Sequence, residues 1–267
     1  MHEEPTLIAQ IVNAVLGPVV KAVFGPLGVH FDPNHPVIPE HLVMVLIVVL
    51  GLTALCFAVR SRLSVETPGK LQILMEDGIR ALVGMMEQWI GPKGPRFLPL
   101  VGTLFVFILT SNYLGLVPGF KAPTSNINVT LGCALTIWFY YHFQGFKEQG
   151  VVNYIKHFAL PPGAPVLMAP LMFIIEIISH LSRVMSLTLR LFGNIFGEEL
   201  VIAILFGLVP FLIPLPMMLL GLITGGLQAF IFALLSIIYL QGAVAIEHHD
   251  DEHGHDAPHG HEAPAAA

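Results

Sequence analysis

The stretch Glu176-Ile-Ile-Ser-His-Leu-Ser-Arg183-Val-Met-Ser-Leu-Thr-Leu-Arg190-Leu-Phe-Gly-Asn194-Ile-Phe-Gly-Glu198-Glu199-Leu decides how the chain is read. It lies inside an apolar run from about Val166 to Ile246, and Arg190 has almost nothing but apolar neighbours for a helical turn on either side. A guanidinium keeps its proton at any physiological pH. Placing it at membrane depth costs roughly 2.5–3.5 kcal/mol on insertion scales. A charge kept at such a cost is a functional residue by default. The rest of the chain therefore reads as a device that holds Arg190 beside a partner carrying negative charge.

Working outward, the 267 residues are 55% hydrophobic and only 11% charged, less than half the charged share of an average soluble domain. A mean hydropathy of +0.76 and several long apolar runs make this a polytopic membrane protein. Inside a bilayer every backbone group must be paired within the protein, so spans are helices or a closed barrel. The runs are continuous rather than alternating, so the fold class is all-α: about five membrane-embedded helices plus an amphipathic surface helix, the last two embedded helices forming a long, strongly tilted hairpin. The net charge of −6 misleads, because six of the 18 acids lie after Ala245 and none of the basic residues does. Without that tail the chain is neutral, which gives no reason to expect a nucleic-acid partner. Cys56 and Cys133 sit in apolar runs and suggest neither a disulfide nor a metal site. No cofactor is called for.

Three regions follow: 1–40, an amino-terminal amphipathic segment and loop; 41–246, the membrane domain, with the hairpin 166–246 carrying the ion path; and 247–267, a disordered tail rich in His and acids. Met1 to Gly28 lacks a basic start and a cleavage site, so it is not a signal peptide. Ile8, Ile11, Val12, Val15, Leu16, Val19 and Val20 recur at helical spacing there, fitting a helix at an interface or against a neighbour. A loop, 31–39, precedes a first span at about His41 to Val59. Val65 to Trp89 is too polar to span and reads as the amphipathic helix, capped by Thr67 with Pro68 as its first residue. Spans at about Phe97 to Val117 and Ile127 to Phe146 follow. The last two segments, about Val166 to Leu208 and Pro214 to Val244, are overlong, with Pro210 and Pro214 marking the turn between them. A helix of about 40 residues is roughly 60 Å, twice the hydrocarbon core, so it must tilt or break. Arg60, Arg62, Lys70, Lys93, Arg96, Lys147 and Lys156 share one side, taken as cytoplasm, which puts the amino-terminus outside and the carboxy-terminus inside.

Glu176, Arg183 and Arg190 are spaced seven apart and share a helical face. Glu199 lies about 180° from Arg190 and Glu198 about 80°. A buried salt bridge inside the helix thus fits Glu199 poorly, though it fits Glu176 with Arg183 better. Glu199 needs water or a proton it can exchange, as carboxyls in proton relays do. Two aqueous half-paths separated by one permanent cation would force an ion to leave on a separate carrier. Ser186, Thr188, Asn194, Gln228 and Gln241 are polar groups on the same segments. Gln228 is placed to hydrogen-bond Arg190 across the hairpin.

The string Ser186 to Leu200 closely resembles the signature of subunit a of F-type ATP synthases. Pro123-Thr-Ser-Asn126-Ile-Asn128, Glu176-Ile-Ile-Ser-His-Leu-Ser-Arg183 and Leu227-Gln228-Ala-Phe-Ile-Phe are similar to three further family segments. The resemblance covers roughly Phe97 to Ala245. It implies a proton-translocating stator facing a ring of c subunits, each with a lipid-embedded carboxylate, and held by peripheral-stalk b subunits in a bacterial inner membrane. Arg190 matches the arginine that meets the ring carboxylate. Glu199 matches the acid of one half-channel, with Asn194 and Gln228 as polar neighbours, and Glu176 a position linked to the cytoplasmic path. Three positions depart from the pattern: Val184 replaces a common Pro, Asn126 an occasional Asp, and Gly221 a residue that titrates in some relatives, so Glu198 is an alternative relay site. His248, His249, His253, His255, His259 and His261 suit metal binding, against which stands a merely solubilising tail. A self-sufficient secondary transporter is the rival reading, but no internal repeat supports it. No Walker motif is present, so ATP chemistry must lie on another polypeptide.

Overall fold

The structure, a computed structural model, describes residues 6–24, 36–61, 63–64, 68–117, 119–151, 154, 166–208 and 214–244. The loop 31–35, Arg62, Glu66, Thr67, Lys156, Pro210 and the tail 247–267 lie outside the described residues. Seven long helices are described: α1 (Leu7–Phe24), α2 (Glu40–Arg60), α3 (Lys70–Ile90), α4 (Leu98–Leu114), α5 (Ile127–Gln149), α6 (Ala169–Leu208) and α7 (Pro214–Val244). Four segments are long and apolar enough to cross a membrane: α2, α4 with its leading turn, α6 and α7. α5 is long enough at 23 residues, but Thr130, Thr136, His142 and Gln144 dilute its apolar character. Those groups are tolerated because α5 packs against α6 and α7, burying Thr130, Cys133, Ala134, Ile137 and Tyr141 on one face.

α7 is the central element, packed against α3, α4, α5 and α6. Small residues let its neighbours approach closely. Gly225 faces Asn112 on α4, whose Nδ2 donates to the Gly225 carbonyl at 2.9 Å, and Thr124 donates to Oδ1 of the same asparagine at 2.7 Å. This bracket joins α4, the turn before α5 and α7. α6 runs unbroken for 40 residues, about 60 Å, so a hydrocarbon core of about 30 Å holds it only if it lies steeply inclined.

One expectation needs correction. α3 does not begin at Pro68; it begins at Lys70, with Gly69 extended at the cap. The first turn is instead tied back by Gln72, whose amide accepts from the Ser64 N–H at 3.2 Å and donates to the Ser64 carbonyl at 3.1 Å. α1 is a helix whose faces differ, as its spacing predicts. Ala9 and Gly17 are buried and Asn13 exchanges two hydrogen bonds with the backbone of Ile38, while Leu7, Ile11, Val15 and Val19 stand open. α1 thus packs on a neighbour through one face and presents an apolar stripe on another.

Candidate ion-conducting site

On α6 the buried positions are His180, Val184, Leu187, Thr188, Leu191 and Ile195. Their three- and four-residue spacing fixes which face meets the bundle. Ser186, Arg190 and Asn194 fall on the open face, among exposed Met185, Leu189 and Phe196. Among the described residues Arg190 bonds the Ser186 hydroxyl at 3.5 Å, a long contact. Among the described residues no carboxylate pairs with it. A permanent cation on an apolar helix face, without a counter-charge among the described residues, is the central feature of the site.

Gln228 does not bond Arg190. It is 2% exposed on α7, and its Oε1 accepts from Nδ2 of Asn194 at 2.9 Å. Asn194 sits one turn beyond Arg190, at the groove between α6 and α7, where the two amides meet. Nε2 of Gln228 finds no acceptor among the described residues.

The two acids face different spaces. Glu199 accepts from the backbone N–H of Ala122 at 2.6 Å. It lines a cavity of roughly 470 Å³ together with Glu40, His41, Lys121, Ser125 and Asn126, where α2 begins and the α4–α5 turn crosses. Gly115 makes room, since a methyl there would come within 3.1 Å of Glu199 Oε1. Lys121 bonds Glu40 at 3.2 Å on the rim, and the Thr6 hydroxyl donates to the same carboxylate at 2.7 Å. Glu198 lies instead in a groove of roughly 350 Å³ between α6 and α7, with Asn194, Thr224 and Gln228. Its Oε2 accepts from the Thr224 hydroxyl at 3.0 Å, and its Oε1 lies where a side chain at Gly221 would begin.

Glu176 lies 14 residues, about 21 Å, along α6 from Arg190. It does not pair with Arg183. It bonds His180, one turn on, at 3.1 Å, and Arg183 lies over the Tyr239 ring at 5.4 Å. Four residues bring two side chains together on a helix, whereas seven separate them by about 10 Å of rise. Asn126 also has a local role: its side chain caps α5 by accepting from the Asn128 N–H at 3.0 Å.

The arrangement places carboxylates before and after a fixed charge along α6, Glu176 on one side and Glu198 and Glu199 on the other, which suits stepwise proton transfer and not covalent chemistry. Sequence reasoning missed Thr224, Glu40 and His180 as neighbours of the acids. Only His180 had a signal, its four-residue distance from Glu176.

Known proteins match this chain over most of its length. The family model described as ATP synthase A chain matches residues 41–241. The chain is similar to ATP synthase subunit a of Geotalea daltonii, 46% identical over 224 residues, 84% of this chain and 93% of that protein. It is similar to ATP synthase subunit a of Citrifermentans bemidjiense, 48% identical over 202 residues, 76% of this chain and 86% of that protein. A third relative, ATP synthase subunit a of Geotalea uraniireducens, is 52% identical over 182 residues, 68% of this chain and 77% of its own length.

Proposed function

The chain belongs to the ATP synthase A chain family, and on that premise we propose how its residues carry ions. It is a multi-pass membrane component of the proton-conducting sector of an ATP synthase, and it performs no ATP chemistry itself. In our reading Arg190 faces the carboxylates of a c-subunit ring, and peripheral-stalk b subunits hold the chain against rotation. A proton enters from outside through the cavity of Glu40 and Lys121 and reaches Glu199. It passes to the adjacent Glu198 and leaves through the Asn194–Gln228 groove to a ring carboxylate. After rotation it is released on the cytoplasmic side near Glu176. Ser186 steadies the guanidinium. The membrane is a bacterial plasma membrane, with the amino-terminus outside and the carboxy-terminus in the cytoplasm.

The observation that carries this reading is the open position of Arg190 on an apolar face, unpaired with any carboxylate among the described residues, with Glu198 and Glu199 opening into separate spaces. Arg190→Lys keeps the charge but loses the planar fork, and should lower proton-driven ATP synthesis by at least about tenfold, or ~1.4 kcal/mol. Near-normal synthesis in membrane vesicles carrying that variant would overturn the assignment.

A further inference from the structure

The larger polar cavity holds a cation as well as its acids. Lys121 lines it beside Glu40 and Glu199, together with His41, Ser125 and Asn126. Nζ of Lys121 lies 3.2 Å from Oε2 of Glu40. The other oxygen of that carboxylate, Oε1, accepts from the Thr6 N–H at 3.1 Å and from the Thr6 hydroxyl at 2.7 Å. Glu40 is therefore anchored independently of Lys121. The residue after Lys121 is Ala122, whose N–H donates to Oε1 of Glu199 at 2.6 Å. One short stretch of the α4–α5 turn thus holds Glu199 with its backbone and reaches Glu40 with a side chain.

Stability is a weak reason for the Lys121–Glu40 pair. The two side chains keep 37% and 21% of their exposure, and an ion pair open to water contributes little. Its effect on the charge of the cavity is larger. Two carboxylates facing one polar space of roughly 470 Å³ would draw in cations, hard metal cations above all, because these take oxygen ligands. The lysine adds a compact point charge on a flexible stem, so that the two carboxylates keep one excess negative charge between them instead of two. A proton and a metal ion meet that arrangement differently. The proton is taken up by a carboxylate and moves on as part of a neutral carboxyl group. A metal ion keeps its whole charge and its need for several ligands. Among the described residues no group of three His, Cys, Asp or Glu side chains is disposed to hold a metal.

We propose that Lys121 is a specificity-determining residue of the outer cavity: a tethered cation that stands where a metal cation would otherwise lodge, and so keeps the way to Glu199 for protons. Thr6 holds Glu40 within reach of the ammonium, and Ala122 holds Glu199 one residue away, so the charge is fixed beside both acids. The role is distinct from that of Arg190, which is set against carboxylates of another chain. Lys121 acts on ions of the outer medium. This inference rests on the reading of the cavity as the outer entry to Glu199.

The test uses the complete enzyme reconstituted in liposomes, with ATP synthesis driven at neutral pH by a potassium diffusion potential. Only molecules whose ATP-forming part faces outward use the added ADP, so the lumen bathes their outer cavity. The lumen holds either millimolar Ca²⁺ or choline at equal ionic strength, and the ratio of the two rates is read for each variant. The native enzyme and Lys121→Arg should give equal rates in both media. Lys121→Gln should be slowed by Ca²⁺ about threefold or more, since loosely built calcium sites fill at about 10⁻⁴–10⁻³ M. Adding Glu40→Gln to Lys121→Gln should abolish that sensitivity. A Lys121→Gln enzyme indifferent to Ca²⁺ makes the pair a structural tie and overturns the proposal, as does a native enzyme that Ca²⁺ slows equally. If Lys121→Gln fails to assemble, Lys121→Ala is read by the same ratio, and failure of both while Lys121→Arg assembles also assigns a structural role and overturns it. Glu199→Gln in choline tests the parent reading separately, because a native rate there would sink that reading whatever Ca²⁺ does.

Discussion

At the scale of single residues, Gly221 and Glu198 must be considered together. The Glu198 carboxylate occupies the space where a side chain at position 221 would start, and it is held there by Thr224 at 3.0 Å. Gly221→Ala should push the carboxylate off its hydrogen bond and destabilise the protein by about 1–3 kcal/mol through overpacking. In a Glu198→Ala background the same change should be nearly neutral, a coupling of at least about 0.5 kcal/mol. Thermal denaturation of the four members of this cycle in detergent measures it, and an equal cost in both backgrounds would show that the carboxylate does not fill the space. Glu199 calls for a different variant. Glu199→Gln retains an oxygen that can accept from the Ala122 N–H, at 2.6 Å in the native chain, but it cannot exchange a proton. Assembly should be unchanged while passive proton conductance falls by about tenfold or more, a floor below the roughly 10²–10⁴-fold that one acid–base group typically supplies. A variant that cannot assemble would make Glu199 a structural residue.

At the scale of elements, the helices were legible because apolar runs end at Pro, Gly and charge. The first span was expected at His41 to Val59 and is Glu40–Arg60. The seven-residue spacing of Glu176, Arg183 and Arg190 placed them on one side of α6 before any packing was known. What could not be read is how far each helix turns about its axis where it meets another. The Tyr141–His180 and Ala122–Glu199 bonds join residues 39 and 77 apart in sequence, so they depend on interhelical register. The same limit misdirected Gln228 toward Arg190 when it meets Asn194. The α4–turn–α7 bracket was equally invisible, and its strength is testable. Asn112→Leu removes the donor to Gly225 and leaves the Thr124 hydroxyl without its acceptor, both within buried surroundings. The loss should be about 1–2 kcal/mol, the range for interhelical hydrogen bonds in membranes. It should appear as a lower melting temperature of the purified complex, and an unchanged value would mean the bracket is replaceable.

At the scale of the whole molecule, the ends of the helices sort the functional groups into two sets. One end gathers the start of α2, the α4–α5 turn and Glu199, around the larger polar cavity. The other gathers the Arg96–Glu148 ion pair at 2.6 Å, the Gln149 bond to the Ala243 carbonyl, and the start of α6 that leads to Glu176. Basic residues concentrate at this second end, which in the proposed orientation is the cytoplasmic face. Proton entry and exit should therefore open to opposite compartments, separated by the unbroken length of α6 and its guanidinium. Single cysteines can decide this. Cys56→Ser removes the exposed native thiol and Cys133→Ser the buried one. In that background Val117→Cys, exposed in the α4–α5 turn, should react with a membrane-impermeant maleimide only from outside, and Lys147→Cys, exposed near the end of α5, only from the cytoplasm. Ser125→Cys, in the cavity wall, should react with a small thiol reagent from outside and should then block proton flow. Labelling of Val117→Cys and Lys147→Cys from the same side would place both mouths on one face, and a motor driven by a transmembrane gradient could not be built that way.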